Sequence, residues 1–239
     1  MKYTEKIEIN NYDVDMHGIA RPTALLAKLE EVGSHQMMKY PPSNDDLRKE
    51  GKGFILSRVV MSIHKDIHEC DAIGETWATD SRGFSFCRCY RLEIDGETMA
   101  KAYTVWALLD INENKLIRYE DVADRMIGGK PDAPFEMELP LRVRVPRAEE
   151  MVEVAKRKVY YSDTDLNGHM NNTKYLNMLC DFVSDIEKRQ LCGINISYVA
   201  EAPLGDTLSV FSKDDGNCVY FKTVRSDGKT NCEAVLYFK

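Results

Sequence analysis

The chain has 239 residues, 44% hydrophobic and 30% charged, with 12 Tyr, 8 Phe and 2 Trp, a composition that suits one large or two small globular domains and excludes wholesale disorder. Its 39 acidic residues outnumber 32 basic ones, giving a formal charge of -7, and no Lys/Arg block offers a footprint for phosphate backbones, so no nucleic-acid partner is expected. The segment MKYTEKIEINNYDVD lacks the apolar core of a signal peptide, and no run approaches the roughly 20 apolar residues of a membrane helix, so the expectation is a cytoplasmic protein with no membrane partner. Seven cysteines, an odd number, are dispersed without a C-x-x-C pair and are read as reduced thiols, with no metal site implied.

In chain order, the alternating segment Lys2–Ile9 predicts a strand, and a helix is predicted from about Pro22 to Met38. Pro22 suits a first-turn position, where its missing N–H is not needed. Strands follow at Phe54–His64, Glu75–Thr79, Phe84–Ile94 and Ala102–Asp110, with a turn at Asp95–Gly96. The stretch GGKPDAPFEMELPLRVRVP then gathers Pro131, Pro134, Pro140 and Pro146, which rules out a regular helix or a central strand. It is read as a linker over residues 131–146 between an N-terminal domain, 1–130, and a C-terminal domain, 147–239. The second half repeats the plan, with a strand at Val152–Tyr160 and a helix from about Asn171 to Lys188. Strands near Ile194–Ala200, Thr207–Ser212, Val219–Arg225 and Glu233–Phe238 complete it. One long helix and an antiparallel sheet per half predict an α+β fold in which each sheet wraps its helix.

The halves also match residue by residue. A constant offset of 150 pairs Asp13 with Asp163, Asp15 with Asp165, Gly18 with Gly168 and Thr23 with Thr173, and likewise Leu26 with Leu176, Leu29 with Leu179 and Ser34 with Ser184. A tandem duplication accounts for this ungapped run.

The chemistry concentrates in Asp163-Thr-Asp-Leu-Asn-Gly-His-Met-Asn-Asn-Thr-Lys-Tyr175, between a strand and a helix. One reading is structural: Asp163, Asp165 or Asn167 tightens a turn, Gly168 supplies a positive φ and Asn171 caps the helix. That leaves His169, beside so many polar groups, unexplained. The functional reading uses the helix N-terminus, whose unpaired N–H groups favour a developing negative charge on a thioester or ester carbonyl. Asp165 then activates or orients water, while Asn167 and His169 hold the acyl group or the water in line.

These residues resemble the acyl-acyl carrier protein thioesterases, the plant fatty-acyl enzymes and their bacterial relatives. Asp165-Leu-Asn167-Gly-His169-Met-Asn171-Asn172 looks like the family's D-x-N-x-H-V-N-N signature, followed by Tyr175 in the helix. Ile196-Ser-Tyr198-Val-Ala-Glu201 resembles its Y-x-x-E element. In the first half, Gly53-Phe-Ile-Leu-Ser-Arg58 and Trp106 are similar to strand motifs of the family. The resemblance implies two hotdog domains in tandem, catalysis by Asp165, Asn167, His169 and Glu201, and no cofactor. It further implies hydrolysis of fatty acyl-acyl carrier protein to free fatty acid, ending chain growth. Plant members carry a cysteine directly after the glutamate; this chain has Ala202, so a cysteine nucleophile there is not required. Asp165 and Glu201 remain alternative candidates for base or nucleophile.

On the same resemblance the first half binds the acyl chain, with Arg58 and Trp106 as lining candidates and Asn171 as a substrate-binding candidate. His17 stands where Asn167 does and Ile19 replaces His169, which makes the first copy a degenerate site. Arg142, Arg144, Arg147, Lys156, Arg157 and Lys158 form a candidate patch for an acidic carrier protein. An acyl-CoA thioesterase, a dehydratase of the same fold and a non-catalytic acyl-binding protein are the competing readings. A homodimer is compatible with all of them.

Overall fold

Polar and apolar residues alternate in YTEKIEI, so β1 (Tyr3–Ile9) turns Thr4, Lys6 and Glu8 to solvent and Ile9 to the core. The computed structural model describes residues 1–126 and 132–239, in two units, Met1–Glu138 and Leu139–Lys239. In the first unit β1 pairs antiparallel with β3 (Cys70–Arg82), Tyr3 opposite Thr76. The order continues through β4 (Ser85–Ile94), β5 (Glu97–Asp110) and β2 (Lys52–Ile63), with a short β6 (Lys115–Ile117) on β5. The left-handed Asp95 and Gly96 make the β4–β5 turn.

Helix α1 (Pro22–Lys39) begins with proline in its first turn, as expected, and lies on β1, β3 and β4. It buries Leu25, Leu26, Leu29 and Val32, each worth about 1.5–3 kcal/mol of apolar burial. The approach is close enough to require glycine on both sides. A Cβ on Gly33 would come within 2.8 Å of the Tyr90 hydroxyl, and one on Gly74 within 2.7 Å of Val32. A short helix, α2 (Asn44–Lys49), follows, capped by Ser43, whose hydroxyl accepts from the Asp46 N–H. The sequence reading had no element there, because one capped turn of polar residues carries no periodicity.

The second unit orders β8 (Leu191–Tyr198), β11 (Thr230–Phe238), β10 (Cys218–Val224), β9 (Thr207–Asp214) and β7 (Val152–Lys158), all antiparallel. Its helix α3 (Asn172–Cys180) buries Tyr175, Leu176, Met178 and Leu179. It stops well short of the predicted Lys188. Past Cys180 the backbone bonds shift to the i−3 carbonyl, Phe182 to Leu179 and Val183 to Cys180, and Asp185 turns left-handed at φ 53°.

Part of the proline-rich stretch, residues 127–131, lies outside the described residues. From Asp132 to Pro146 there is no helix or strand. Ala133 accepts a 3.0 Å bond from the Trp77 indole, and Phe135 packs edge-on against that ring. In the second unit Pro140 accepts from the Asn195 amide at 2.7 Å. Side-chain donors thus satisfy carbonyls of the segment and anchor it. Among the described residues no helix is long and apolar enough to cross a membrane.

Candidate active site

The duplicated loop repeats several hydrogen bonds, although Asp15 Oδ1 also accepts from the Ile19 N–H at 3.0 Å, a bond the His169 N–H does not make among the described residues. Asp165 Oδ1 accepts from the Asn167 N–H at 2.8 Å, as Asp15 Oδ1 does from His17 at 2.8 Å. The Asp165 N–H donates to the His169 carbonyl at 2.9 Å, as Asp15 does to Ile19 at 2.8 Å, and Asn171 and Arg21 each donate to the preceding aspartate carbonyl at 2.8 Å. Gly168 and Gly18 take φ of 75° and 74°, a region that favours glycine. Asp163 is an anchor: Arg157 grips its carboxylate with two nitrogens, Nη2 at 2.7 Å from Oδ1, and the Tyr160 N–H donates to it. The guanidinium holds the Asp163 carboxyl below its ordinary range.

This loop docks on the turn after β8 through two backbone bonds, Met170 N–H to Ala202 at 2.8 Å and Leu204 N–H to Gly168 at 3.0 Å. The docking carries Glu201 to His169, with Oε2 3.2 Å from Nδ1 and the side chains 57% and 31% exposed. Nδ1 itself is sealed from solvent and has no aligned hydrogen-bond partner among the described residues. In the first copy Ala20 donates to Ile67 at 2.7 Å, which sets Asp66 at the place of Glu201. The acidic position persists there, while the histidine has become Ile19.

Two residues that the sequence reading passed over hold Glu201 from behind. Asn231, fully buried, accepts with its backbone carbonyl from Val199 at 2.8 Å and Ala200 at 3.1 Å. Its side-chain amide donates to the Ala200 carbonyl and to the Tyr175 hydroxyl, and its Oδ1 accepts from Thr223 at 2.8 Å. Arg225 donates to the Glu201 carbonyl at 3.0 Å and pairs with Asp206 at 3.0 Å. No local signal marks Asn231, since its partners come from α3, β10 and the segment after β8. Asn231→Ala strands three buried polar groups and is expected to cost about 2–4 kcal/mol. Urea unfolding reads this as a lower midpoint at constant m; an unchanged midpoint would dismiss the anchoring role.

The other candidates lie elsewhere. Asn171 caps α3, its Oδ1 accepting from the Thr173 N–H at 2.9 Å and hydroxyl at 2.7 Å. With that cap in place, the amides of His169 and Asn172 are those at the loop–helix junction that no acceptor takes up among the described residues. Trp106, on β5, lines a pocket in the first unit and donates to Thr104 at 2.8 Å. Arg58, on β2 opposite Val105, is not among that pocket's lining residues. Burial pushes the Cys180 thiol up to about 12, which keeps it protonated and a poor nucleophile. Of the basic patch, Arg157 is committed to Asp163, while Arg142, Arg144, Arg147, Lys156 and Lys158 are exposed.

The acyl-ACP thioesterase N-terminal domain matches residues 1–126, and the acyl-ACP thioesterase C-terminal domain matches residues 147–239. No curated protein matches the chain by sequence. Among solved structures, an acyl-ACP thioesterase from Bacteroides thetaiotaomicron superposes with a TM-score of 0.88 at 21% identity, over 100% of this chain and 98% of that one. A 12:0-ACP thioesterase from Umbellularia californica gives 0.88 at 14% identity, over 100% and 97%. A MaoC-like dehydratase from Phytophthora capsici is more distant, with a TM-score of 0.65 at 12% identity over 100% and 95%. The architecture they share with this chain is the double hotdog.

Proposed function

The chain belongs to the acyl-ACP thioesterase family, enzymes that hydrolyse fatty acyl-acyl carrier protein, and from that premise we propose that His169 and Glu201 carry the chemistry, with Asn167 and Asp165 in support. The observation behind this assignment is the 3.2 Å approach of Glu201 to His169 Nδ1. Glu201 orients the ring, and Nε2 takes a proton from water as that water attacks the thioester carbonyl. The Asn167 amide and the N–H groups of His169 and Asn172 stabilise the oxyanion. Collapse of the tetrahedral intermediate breaks the C–S bond. The thiolate of the pantetheine arm leaves with the proton from His169, and the free fatty acid remains.

Asp165 is assigned a positioning role. Its counterpart Asp15 makes the same 2.8 Å bond in a copy that lacks the histidine, so loop geometry by itself accounts for an aspartate here. Asparagine can accept the same N–H bond, whereas alanine cannot. Asp165→Asn is therefore expected to retain at least ~10-fold more kcat than Asp165→Ala, whose loss reaches about 10²-fold. Equal losses in both would make Asp165 the base or nucleophile instead.

The first unit takes the acyl chain, and the exposed arginines and lysines at residues 142–158 meet the acidic carrier protein. A higher kcat/KM on acyl-carrier protein than on the matching acyl-CoA, with the difference shrinking as salt rises, is the expected result. Equal values on both carriers would remove the charge-recognition part. A cytoplasmic location and association of two chains as a homodimer complete the proposal, the latter tested by sedimentation equilibrium.

A further inference from the structure

Beneath α1, the first unit holds an open-mouthed pocket with a cavity volume of about 150 Å³. Much of its wall suits an alkyl chain: Phe54 stands edge-on to Phe86 at 5.2 Å and to Trp106 at 6.5 Å. The carboxyl of Glu30 and the guanidinium of Arg88, also on its lining, do not. Glu30, on α1, presents an Oε1 that is sealed from solvent and has no hydrogen-bond partner among the described residues. Burial pushes its carboxyl up to about 8, so near neutral pH it is an acid with an O–H to donate. Arg88, on β4, is bonded only to neutral groups, Gln36 Oε1 and, at 3.2 Å, Thr76 Oγ1, and no carboxylate pairs with it among the described residues.

A guanidinium and a carboxyl facing a pocket that holds hydrocarbon alone are costly, because a saturated chain satisfies neither. Packing of the fold does not demand Glu30. The duplication places Cys180 where Glu30 stands, so the same helix position accepts a small, weakly polar side chain in the other copy. A ligand oxygen would meet both residues.

We propose that this pocket selects acyl chains bearing an oxygen function, a hydroxyl, oxo or carboxyl group, with Arg88 and Glu30 as its hydrogen-bond partners. This rests on the first unit being the acyl-binding half. A site that hydrogen-bonds a substrate oxygen discriminates strongly against the analogue lacking it, since its own polar groups are then left unpaired.

The test compares dodecanoyl-carrier protein with a set of twelve-carbon thioesters carrying a hydroxyl or oxo group at successive positions, or a terminal carboxyl. At least one oxygenated chain is expected to exceed the plain chain by ~10-fold or more in kcat/KM. Glu30→Leu should reduce that ratio to within about twofold of one, as should Arg88→Met where it folds. Preference for the plain chain over every oxygenated one, or a ratio that Glu30→Leu leaves unmoved, would overturn the proposal. Calorimetric binding of the corresponding free acids to the full chain gives a readout separate from catalysis. Absence of hydrolysis with selective binding of an oxygenated acid would sink the hydrolase reading and uphold this one. Equal affinity for plain and oxygenated acids would overturn this proposal and leave the hydrolase reading untouched.

Discussion

His169→Ala is expected to lower kcat on acyl-carrier protein by about 10³-fold, roughly 4 kcal/mol of transition-state stabilisation, with KM changed little. The ring stands at the junction of loop and helix with its side chain 31% exposed, so its removal opens no core cavity and the variant should unfold at the wild-type urea midpoint. Glu201→Gln keeps the shape and loses the charge 3.2 Å from Nδ1; a loss of about 10²-fold is expected. Because the two act as one unit, the double variant should be scarcely worse than His169→Ala alone. Steady-state kinetics on the four proteins decide this. Multiplicative losses in the double variant would mean that Glu201 acts on water or substrate independently of His169.

Glu30→Gln should stabilise the protein increasingly as pH rises. The carboxyl has an ordinary value of 4.5 and burial raises it to about 8 in the fold. Between those values the native state binds the proton that the unfolded chain has released, so this group makes wild-type stability fall as pH increases through the window and level off above about 8. The full span is at most about 5 kcal/mol, the difference of the two values at 1.36 kcal/mol each. Glutamine fills the same space and does not titrate. The Tm advantage of the variant should therefore be near zero at pH 5 and reach as much as about 10 °C at pH 9. Thermal melts across that range check it, and a pH-independent offset would show that Glu30 ionises as it does in water.

Local features were legible because they act within a few residues. An Asx turn at Asp165, a positive φ at Gly168 and a cap at Asn171 are each made by neighbours in the chain, so residue type and spacing express them directly. The duplication was readable for the same reason: two copies of one loop make the same short-range bonds. Elements misjudged were those whose limits come from elsewhere. Residues 181–188 carry enough helix-compatible residues to extend α3, yet the chain there passes through i−3 bonds and a left-handed Asp185, which no local pattern announces. Arg157, placed by the sequence in the candidate patch for an acidic carrier protein, is paired with Asp163.

By itself the sequence determined the two-copy plan, the family signature and the polar loop beside a helix, all properties of contiguous residues. Only the tertiary structure decided that Glu201, 32 residues from His169, comes within 3.2 Å of it, held there by Asn231 and Arg225 across the sheet. It likewise decided that Glu30 faces a pocket rather than solvent and shares it with Arg88. Which charges meet depends on strand register and on how closely α1 seats over Gly33 and Gly74, and those follow from packing the whole core at once.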